Sequence, residues 1–327
     1  MLTAGLGALF GEHHAKINFN NKGNFMLRPI ILLSFLLVLS ACDSRKQGGT
    51  DLKKETATPN KVSASSDHKL RAILDRQPEN VQTRYVSRHP HETLTFFGIE
   101  PGMTVIEALP GSGWYSKILL PLLGKQGQLI GAGYNLKMLA LFGFYDDARL
   151  KELAQWKNEW PIKARAWGEA DHAKVNAFYF GNMSKELHGT VDAVLFIRAL
   201  HNMARFSDTE NFLGSAIDDA FQALKPGGIA GIVQHAAPEN MSSSWASGKR
   251  GYLHEEFVIE QMITAGFELV ATSNINANEK DLPTSDEVVW RLPPTLSGSK
   301  NNAERISQMM EIGESNRMTL KFRKPPA

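Results

Sequence analysis

The sequence predicts a doubly wound α/β fold built on a mostly parallel, seven-stranded sheet. Short apolar runs alternate with longer amphipathic segments over residues 69–327, an order typical of a parallel sheet covered by helices on both faces. The run 194–197 is apolar without alternation, as expected of a central strand that is buried on both sides. At about 260 residues, this region is long enough for one large domain with a sizeable core.

The alternation predicts seven strands and five helices in this region, with the helices placed between the strands. The predicted strands are 104–108, 128–132, 175–180, 193–197, 229–234, 267–273 and 318–323. The predicted helices are 90–97, 115–123, 148–160, 208–224 and 255–264. Lys225 and the glycines 227–228 are typical of the point where a helix ends and the next strand begins.

Residues 1–42 are predicted to be an export signal that ends at a lipidation site. A basic start at Arg28 precedes the apolar run 30–39, and small residues then lead to Cys42. The apolar run is shorter than the roughly 20 residues that a permanent membrane-spanning helix needs. Residues 39–42 resemble the lipobox of bacterial lipoproteins, in which the cysteine is lipidated, and the chain has no other cysteine. The alternatives are a plain cleavable signal or a buried N-terminal helix.

The predicted anchor places the chain on a bacterial cell membrane, facing the periplasm. Asp43 follows the cysteine and resembles the residue that keeps lipoproteins in the inner membrane of enteric-type bacteria, so we favour that membrane. Residues 43–68 are mostly small or charged and contain almost no large apolar side chain. We therefore expect this segment to be a flexible tether with a reach of roughly 25–30 Å.

The composition argues against a protein stabilised by disulfides and against a nucleic-acid-binding protein. A single cysteine cannot form an intramolecular disulfide, so stability must come from the core. The net charge of +2, with 43% hydrophobic residues, gives no electrostatic basis for binding nucleic acid.

The segment 105–115 carries the strongest functional signal. An apolar pair precedes Glu107, then a turn contains Pro110, Gly111 and Gly113, and an amphipathic segment follows. This is the pattern of a buried strand, a tight loop and the start of a helix, where glycines let the backbone approach a ligand and helix N–H groups point at it. The same kind of turn also commonly connects a strand to a helix in proteins that bind no ligand there, so the pattern needs support from elsewhere in the chain.

That support is a resemblance to class I S-adenosylmethionine-dependent methyltransferases, which spans most of the globular part. Glu107 and the loop 110–113 stand where that family has an acid and a glycine-rich loop, and Phe180-Gly181-Asn182 stands where it has an adenine contact. Segments 191–195, 224–228 and 265–267 match its fourth strand, the turn before its fifth, and the entry to its sixth. The resemblance implies S-adenosylmethionine as methyl donor, with Glu107 at its methionine end; holding the adjacent loop is the alternative role for Glu107.

A narrower group, exported bacterial proteins described as predicted methyltransferases, shares further motifs. These are Arg88-His89-Pro90, Trp114-Tyr115, the run 198–202 and the closing segment 320–325. Two positions depart from the wider family. Leu109 replaces the first glycine of the loop, and the acid that holds the ribose hydroxyls after the second strand is missing, with Asn135 as its substitute.

His201 and Arg198 are the predicted catalytic residues. His201 and His235 follow the fourth and fifth strands, which are neighbours in the family's sheet, so both should lie on the ligand-bearing edge. An unperturbed histidine, with a pKa near 6.5, suits a general base for a small-molecule acceptor. Together with His254 these histidines lack tight ligand spacing, so no metal site is predicted. The rival hypothesis is a non-catalytic ligand-binding protein on a degenerate methyltransferase fold.

Overall fold

The structure is a computed structural model that describes residues 63–168 and 171–327. The predicted signal segment, Cys42 and most of the predicted tether lie outside the described residues. Helix α1, Ala64–Asp75, begins within the predicted tether, because Ser63 caps it by accepting a hydrogen bond from the Ser66 N–H at 3.2 Å. No helix in the described part has both the length and the apolar character to cross a bilayer.

The described residues form seven strands, twelve α-helices and two short 3₁₀ helices. The strands are β1 Thr104–Ala108, β2 Gln128–Gly133, β3 Lys174–Tyr179, β4 Val191–Ile197, β5 Leu224–His235, β6 Glu268–Ser273 and β7 Arg317–Arg323. The remaining α-helices are α2 Glu79–Gln82, α3 Tyr85–Arg88, α4 Pro90–Phe97, α5 Ser116–Leu123, α6 Leu136–Leu141, α7 Asp147–Leu153, α8 Trp156–Arg165, α9 Leu200–Ala204, α10 Phe212–Ala223, α11 Glu255–Thr264 and α12 Ala303–Ile312. The 3₁₀ helices are Lys185–Leu187 and Val289–Arg291.

The strands form one sheet in the order β3-β2-β1-β4-β5-β7-β6. Strands β1 to β5 pair in parallel, whereas β7 is antiparallel to both β5 and β6. The predicted fold class is confirmed. The order reverses direction between β1 and β4, and ligands of open α/β sheets bind outside the carboxyl ends of strands at such a point.

Helices cover both faces of the sheet, and each face has its own core cluster. Val105, Leu129 and Leu195 point to the face covered by α1, α4, α5 and α8. Ile106 and Phe196 point to the opposite face, which α9, α10 and α11 cover. Adjacent strand positions alternate between the two faces, and apolar residues at both make the central strands continuous apolar runs.

Three local features differ from the predictions. The single helix predicted at 148–160 is two helices, α7 and α8, separated at 154–155. The predicted turn at 225–228 lies inside β5, where the pairing with β4 shifts register between Val191 and Ala193. Helices α1, α2, α3, α6, α9 and α12 were not predicted, because most of them are too short to show a helical period.

Candidate functional site

Two residues at the carboxyl ends of the central strands have strained backbones. Leu109 follows β1 with φ +53°, and Arg198 follows β4 with φ +57°. Each N–H donates to the neighbouring strand, Leu109 to the Ala132 carbonyl at 2.8 Å and Arg198 to the Val233 carbonyl at 2.6 Å. Residues with side chains rarely adopt this region, and strain of this kind concentrates at functional sites. Leu109 therefore takes a left-handed conformation of the kind a glycine adopts easily.

The glycines of the loop after β1 differ in what surrounds them. Gly111 has φ +56°, and a Cβ built on it would meet only the Leu109 carbonyl oxygen, at 3.8 Å. A Cβ on Gly113 would overlap the Trp167 ring. The Pro110 carbonyl closes the loop by accepting from the Gly113 N–H at 2.8 Å. Gly111 thus presents backbone to open space, whereas Gly113 is required for packing within the chain.

Glu107 is buried at the end of β1 and connects this strand to α5. Its side chain is only 4% exposed, and its carboxylate accepts a hydrogen bond from the Ser116 hydroxyl at 2.6 Å. Burial raises the pKa of Glu107 to about 7, and the bond from Ser116 opposes this shift. The Ser116 contact holds the start of α5 next to the strand.

Asn135 and Asn182 lie at the ends of β2 and β3. The Asn135 side chain caps α6 by accepting from the Lys137 N–H at 2.9 Å, and a Cβ on Gly181 would lie 2.7 Å from its Nδ2. The structure therefore brings Asn135 close to the Gly181–Asn182 turn. The Gly181 N–H is already used, because it donates to the Asp219 carboxylate at 2.6 Å. Asn182 itself is exposed.

His201 is buried in α9 and hydrogen-bonded to Gln234. Both its backbone N–H and its Nδ1 lie within 3.4 Å of the Gln234 Oε1. The Gln234 Nε2 donates to the Gly251 carbonyl at 3.1 Å, which fixes the amide orientation and makes its oxygen the acceptor. Nδ1 therefore carries the proton, and Nε2 has no hydrogen-bond partner in the described part of the chain.

His201 and His235 are the two histidines that the sequence predicts at the ligand-bearing edge of the sheet. In the structure, the pKa values of both differ from that of an unperturbed histidine. Burial lowers the pKa of His201 to about 4; the bond to Gln234 opposes the shift, and Arg198 and Arg205 add to it. His235 lies 5.3 Å from His201 between ring centroids, and its Nδ1 is 2.5 Å from the Ser315 hydroxyl. Burial lowers the pKa of His235 well below its ordinary value. Both rings are therefore neutral at pH 7.

Residues 236–254, here called the covering segment, pack over His201. A Cβ on Gly248 would collide with the His201 carbonyl oxygen, so the two backbones are in close contact. Trp245 stacks on Tyr252 at 5.3 Å, and the Tyr252 hydroxyl donates to Asp281 at 2.9 Å. His254, at the end of the covering segment, has its Nε2 3.0 Å from the Met241 carbonyl. In the described residues, no group of three or more His, Cys, Asp or Glu side chains could hold a metal ion.

A cluster of four arginines at this edge was missed by the sequence analysis. The Glu314 carboxylate, just before β7, accepts from Arg84 at 2.8 Å and lies 3.4 Å from both Arg88 and Arg317. Arg198 adds a fourth positive charge that acts on the same carboxylate. Burial lowers the pKa values of Arg88, Arg198 and Arg317. The signal available in the sequence was the Arg88-His89-Pro90 motif, in which His89 forms a left-handed turn between α3 and α4.

Comparison with known proteins finds likeness only among solved structures. No protein-family model matches the chain, and no curated protein matches it. The [4+2]-cyclase SpnF is 14% identical with a TM-score of 0.44, covering 74% of this chain and 81% of that one. A SAM-dependent methyltransferase from Aquifex aeolicus is 12% identical with a TM-score of 0.41, and the match covers 79% of this chain and 98% of that one. A putative methyltransferase from Haloferax volcanii, in complex with the activator Trm112, is 15% identical with a TM-score of 0.44, covering 80% and 98%.

Proposed function

We propose that this chain transfers a methyl group from S-adenosylmethionine to a small-molecule acceptor while tethered to a bacterial cell membrane, facing the periplasm. The methyl–sulfur bond of the sulfonium breaks as a bond forms between the methyl carbon and an acceptor nucleophile. The sulfur keeps the electron pair, so the donor leaves as S-adenosylhomocysteine, and the acceptor loses a proton. The protein contributes by holding donor and acceptor in line.

The observation that carries the proposal is the loop after β1. Gly111 exposes bare backbone to open space at the point where the strand order reverses, and the buried Glu107 carboxyl lies at the end of the same strand. A ligand at this point can approach the loop backbone and the first N–H groups of α5. Asn135 and Asn182, at the ends of β2 and β3, are the proposed contacts for the ribose and adenine parts.

The residues proposed to contact the ribose, after β2 and β3, fit the donor less well than the loop after β1 does. The Asn135 oxygen already caps α6, and the Gly181 N–H already binds Asp219. Only the Asn135 amide group remains for a ribose hydroxyl, and it is a weaker partner than a carboxylate. We therefore expect lower affinity for the donor than a site with an acid after β2 would have.

His201 is the proposed acceptor of the proton, with Arg198 beside it. Because Nδ1 is bonded to Gln234, the free Nε2 is the atom that would take the proton. With a pKa of about 4, this nitrogen is unprotonated at neutral pH, although so weak a base drives proton transfer only modestly.

Calorimetric titration of the purified protein with S-adenosylmethionine and S-adenosylhomocysteine tests the proposal. We expect binding, and we expect Gly111→Val to weaken it at least tenfold by placing a branched side chain in the open space. Gly143→Val is the matched control, since Gly143 also has positive φ and open surroundings but lies between α6 and α7. No binding by the parent protein at millimolar ligand would favour the rival, a non-catalytic binding protein on this fold.

A further inference from the structure

The cluster of Arg84, Arg88, Arg198 and Arg317 carries more positive charge than the surrounding protein neutralises. Glu314 is the only carboxylate that pairs with any of the four in the described residues. The Arg198 guanidinium makes no hydrogen bond or ion pair with any residue that the structure describes. The carboxylate of Asp281, whose charge also reaches Arg317, is paired with Arg291 at 2.7 Å.

Two of the four charges are also buried. Arg88 and Arg317 are 2% and 4% exposed, and Arg88 is in the field of Arg198, which adds to the effect of burial in lowering the Arg88 pKa. Like charges held together out of water destabilise a fold unless a counter-ion compensates them. The protein itself supplies only part of that compensation through Glu314.

Arg88 is oriented by its neighbours rather than by its ion pair. Its guanidinium lies 4.5 Å from the centroid of the Trp114 ring. The only hydrogen bond that this guanidinium makes among the described residues is the long one from Nε to Glu314, at 3.4 Å. Both terminal nitrogens are therefore left without a protein partner in this part of the chain. The Trp114 Nε1, also buried, lacks a described partner too. Planar guanidinium groups with free terminal nitrogens match the two oxygens of a carboxylate or phosphate.

The cluster lies away from the strands that carry the nucleoside contacts. Arg198 follows β4, and Arg317 begins β7 directly opposite His235 at the end of β5. Arg84 and Arg88 come from the segment around α3. None of the four follows β2 or β3, where Asn135 and Asn182 lie, so the cluster is on the side of His201 and His235.

We infer that Arg88 and Arg198 bind a carboxylate or phosphate group, with the buried charge of Arg317 beside them, and, resting on the proposed function, that this group belongs to the methyl acceptor. The acceptor is then an anionic small molecule whose charged end is held by the arginines. Its nucleophile would lie between this anchor and the loop at Gly111.

The first test is titration of the protein with inorganic phosphate and with succinate, at constant ionic strength set by sodium chloride. We expect saturable binding that Arg198→Gln weakens roughly ten- to hundredfold, the loss expected for a charged hydrogen-bonding partner. Arg205→Gln is the matched control, because Arg205 also has no ion pair among the described residues but packs on Phe142 and Phe206 outside the cluster. Equal weakening by both variants, or no binding above the chloride background, would overturn the inference.

Glu314→Gln supplies a second readout that does not depend on Arg198. Removing this carboxylate leaves the four arginines without an ion-pair partner among the described residues, so we expect a lower melting temperature than in the parent. We also expect phosphate to raise the melting temperature of the variant more than that of the parent, at equal ionic strength. A rise that chloride produces equally well would contradict a specific anion site.

Competition separates the acceptor from the donor as the source of the anion. S-adenosylhomocysteine carries a methionine carboxylate, and 5′-methylthioadenosine lacks it. If neither displaces phosphate from the cluster, the acceptor assignment is supported. If only S-adenosylhomocysteine displaces it, the cluster binds the donor's carboxylate and the acceptor assignment is wrong. If S-adenosylhomocysteine fails to bind at all, the proposed function fails, while the anion site is still judged by the phosphate titration.

Discussion

At the scale of single residues, Glu107 and His201 respond to pH in opposite directions. Burial raises the pKa of Glu107 from 4.5 to about 7, so the folded chain binds its proton more tightly than the unfolded chain does. Burial lowers the pKa of His201 from 6.5 to about 4, so the folded chain disfavours its protonation. The contribution of Glu107 to stability therefore falls as pH rises from about 5 to about 7, whereas that of His201 falls as pH drops from about 7 to about 4.

Glu107→Gln should remove the first of these effects. The parent loses the Glu107 contribution as pH rises, and the variant does not. The free energy of unfolding of the variant minus that of the parent should therefore increase between about pH 5 and about pH 8, by up to about 1.4 kcal/mol per pH unit. Urea unfolding of both proteins across this range measures the difference, in which the contributions of the histidines cancel. Glu186→Gln, the same substitution at an exposed position, is the matched control. A constant difference for Glu107→Gln would show that its carboxyl is ionised throughout.

The His201 ring should stay neutral across the physiological pH range. Its resonances in the imidazole region of an NMR spectrum, assigned by their loss in His201→Ala, should not move between pH 5.5 and 8. Titration with a midpoint near 6.5 would contradict the buried environment of this ring.

Once an acceptor is identified, His201→Ala should lower turnover by roughly 10²–10⁴ if Nε2 takes the proton. Unchanged turnover would leave methyl transfer to positioning alone.

At the scale of elements, the covering segment is held in place by buried polar contacts as well as by apolar packing. Tyr252, Asp281 and Arg291 form a hydrogen-bonded network in which the Arg291 guanidinium donates to both the Tyr252 hydroxyl and the Asp281 carboxylate. Trp245 adds a bond from its indole N–H to the Ser285 carbonyl at 2.7 Å. The covering segment lies against His201 at Gly248 and so contributes to the burial that lowers the pKa of this histidine.

Gly248→Ala should loosen the covering segment over His201. The new methyl group would collide with the His201 carbonyl and would also be strained at φ +89°. Gly143→Ala separates the two causes, because Gly143 has φ +75° and nothing within 4 Å. We expect Gly143→Ala to cost about 1 kcal/mol from backbone strain and Gly248→Ala about 1–3 kcal/mol more from overpacking. Denaturant unfolding measures both, and equal losses would show that the contact at Gly248 is loose.

Element boundaries also show where local sequence was insufficient. The helix predicted at 148–160 is interrupted at 154–155, and α8 then continues to Arg165 through Pro161. Trp156 and Trp160 set this arrangement, because their rings fill the space beside Gly133 and Gly131 of β2. Such a contact depends on which strand lies below the helix, and no local pattern contains that information.

At the scale of the whole molecule, the lipid anchor is the part of the proposal that lies outside the described residues. Cys42→Ala removes the proposed lipidation site, so the variant should be released from membranes or remain unprocessed. Membrane fractionation and incorporation of a labelled fatty acid measure the effect. Ser44→Ala is the matched control, since it changes a neighbouring small residue and leaves the cysteine in place. A Cys42→Ala variant that fractionates and migrates like the parent would refute the anchor.

The sequence by itself determined the fold class, the seven strands and the position of the loop after β1. Strand and helix periods are local, and glycines mark sharp turns wherever they occur, so these features can be predicted without knowing what packs where. The loop residues Gly111 and Gly113 were also identified as a pair. Only the structure distinguishes them, since Gly111 faces open space and Gly113 packs on Trp167.

The tertiary structure alone decided the electrostatics of the site. Glu107, His201 and His235 take their pKa shifts mainly from burial, which depends on the helices and on the covering segment packed against them. The arginine cluster joins Arg88 to Arg317, residues more than two hundred positions apart, through the antiparallel insertion of β7 beside β5. Long-range pairing of this kind follows from the order of strands in the sheet, which a single sequence does not display.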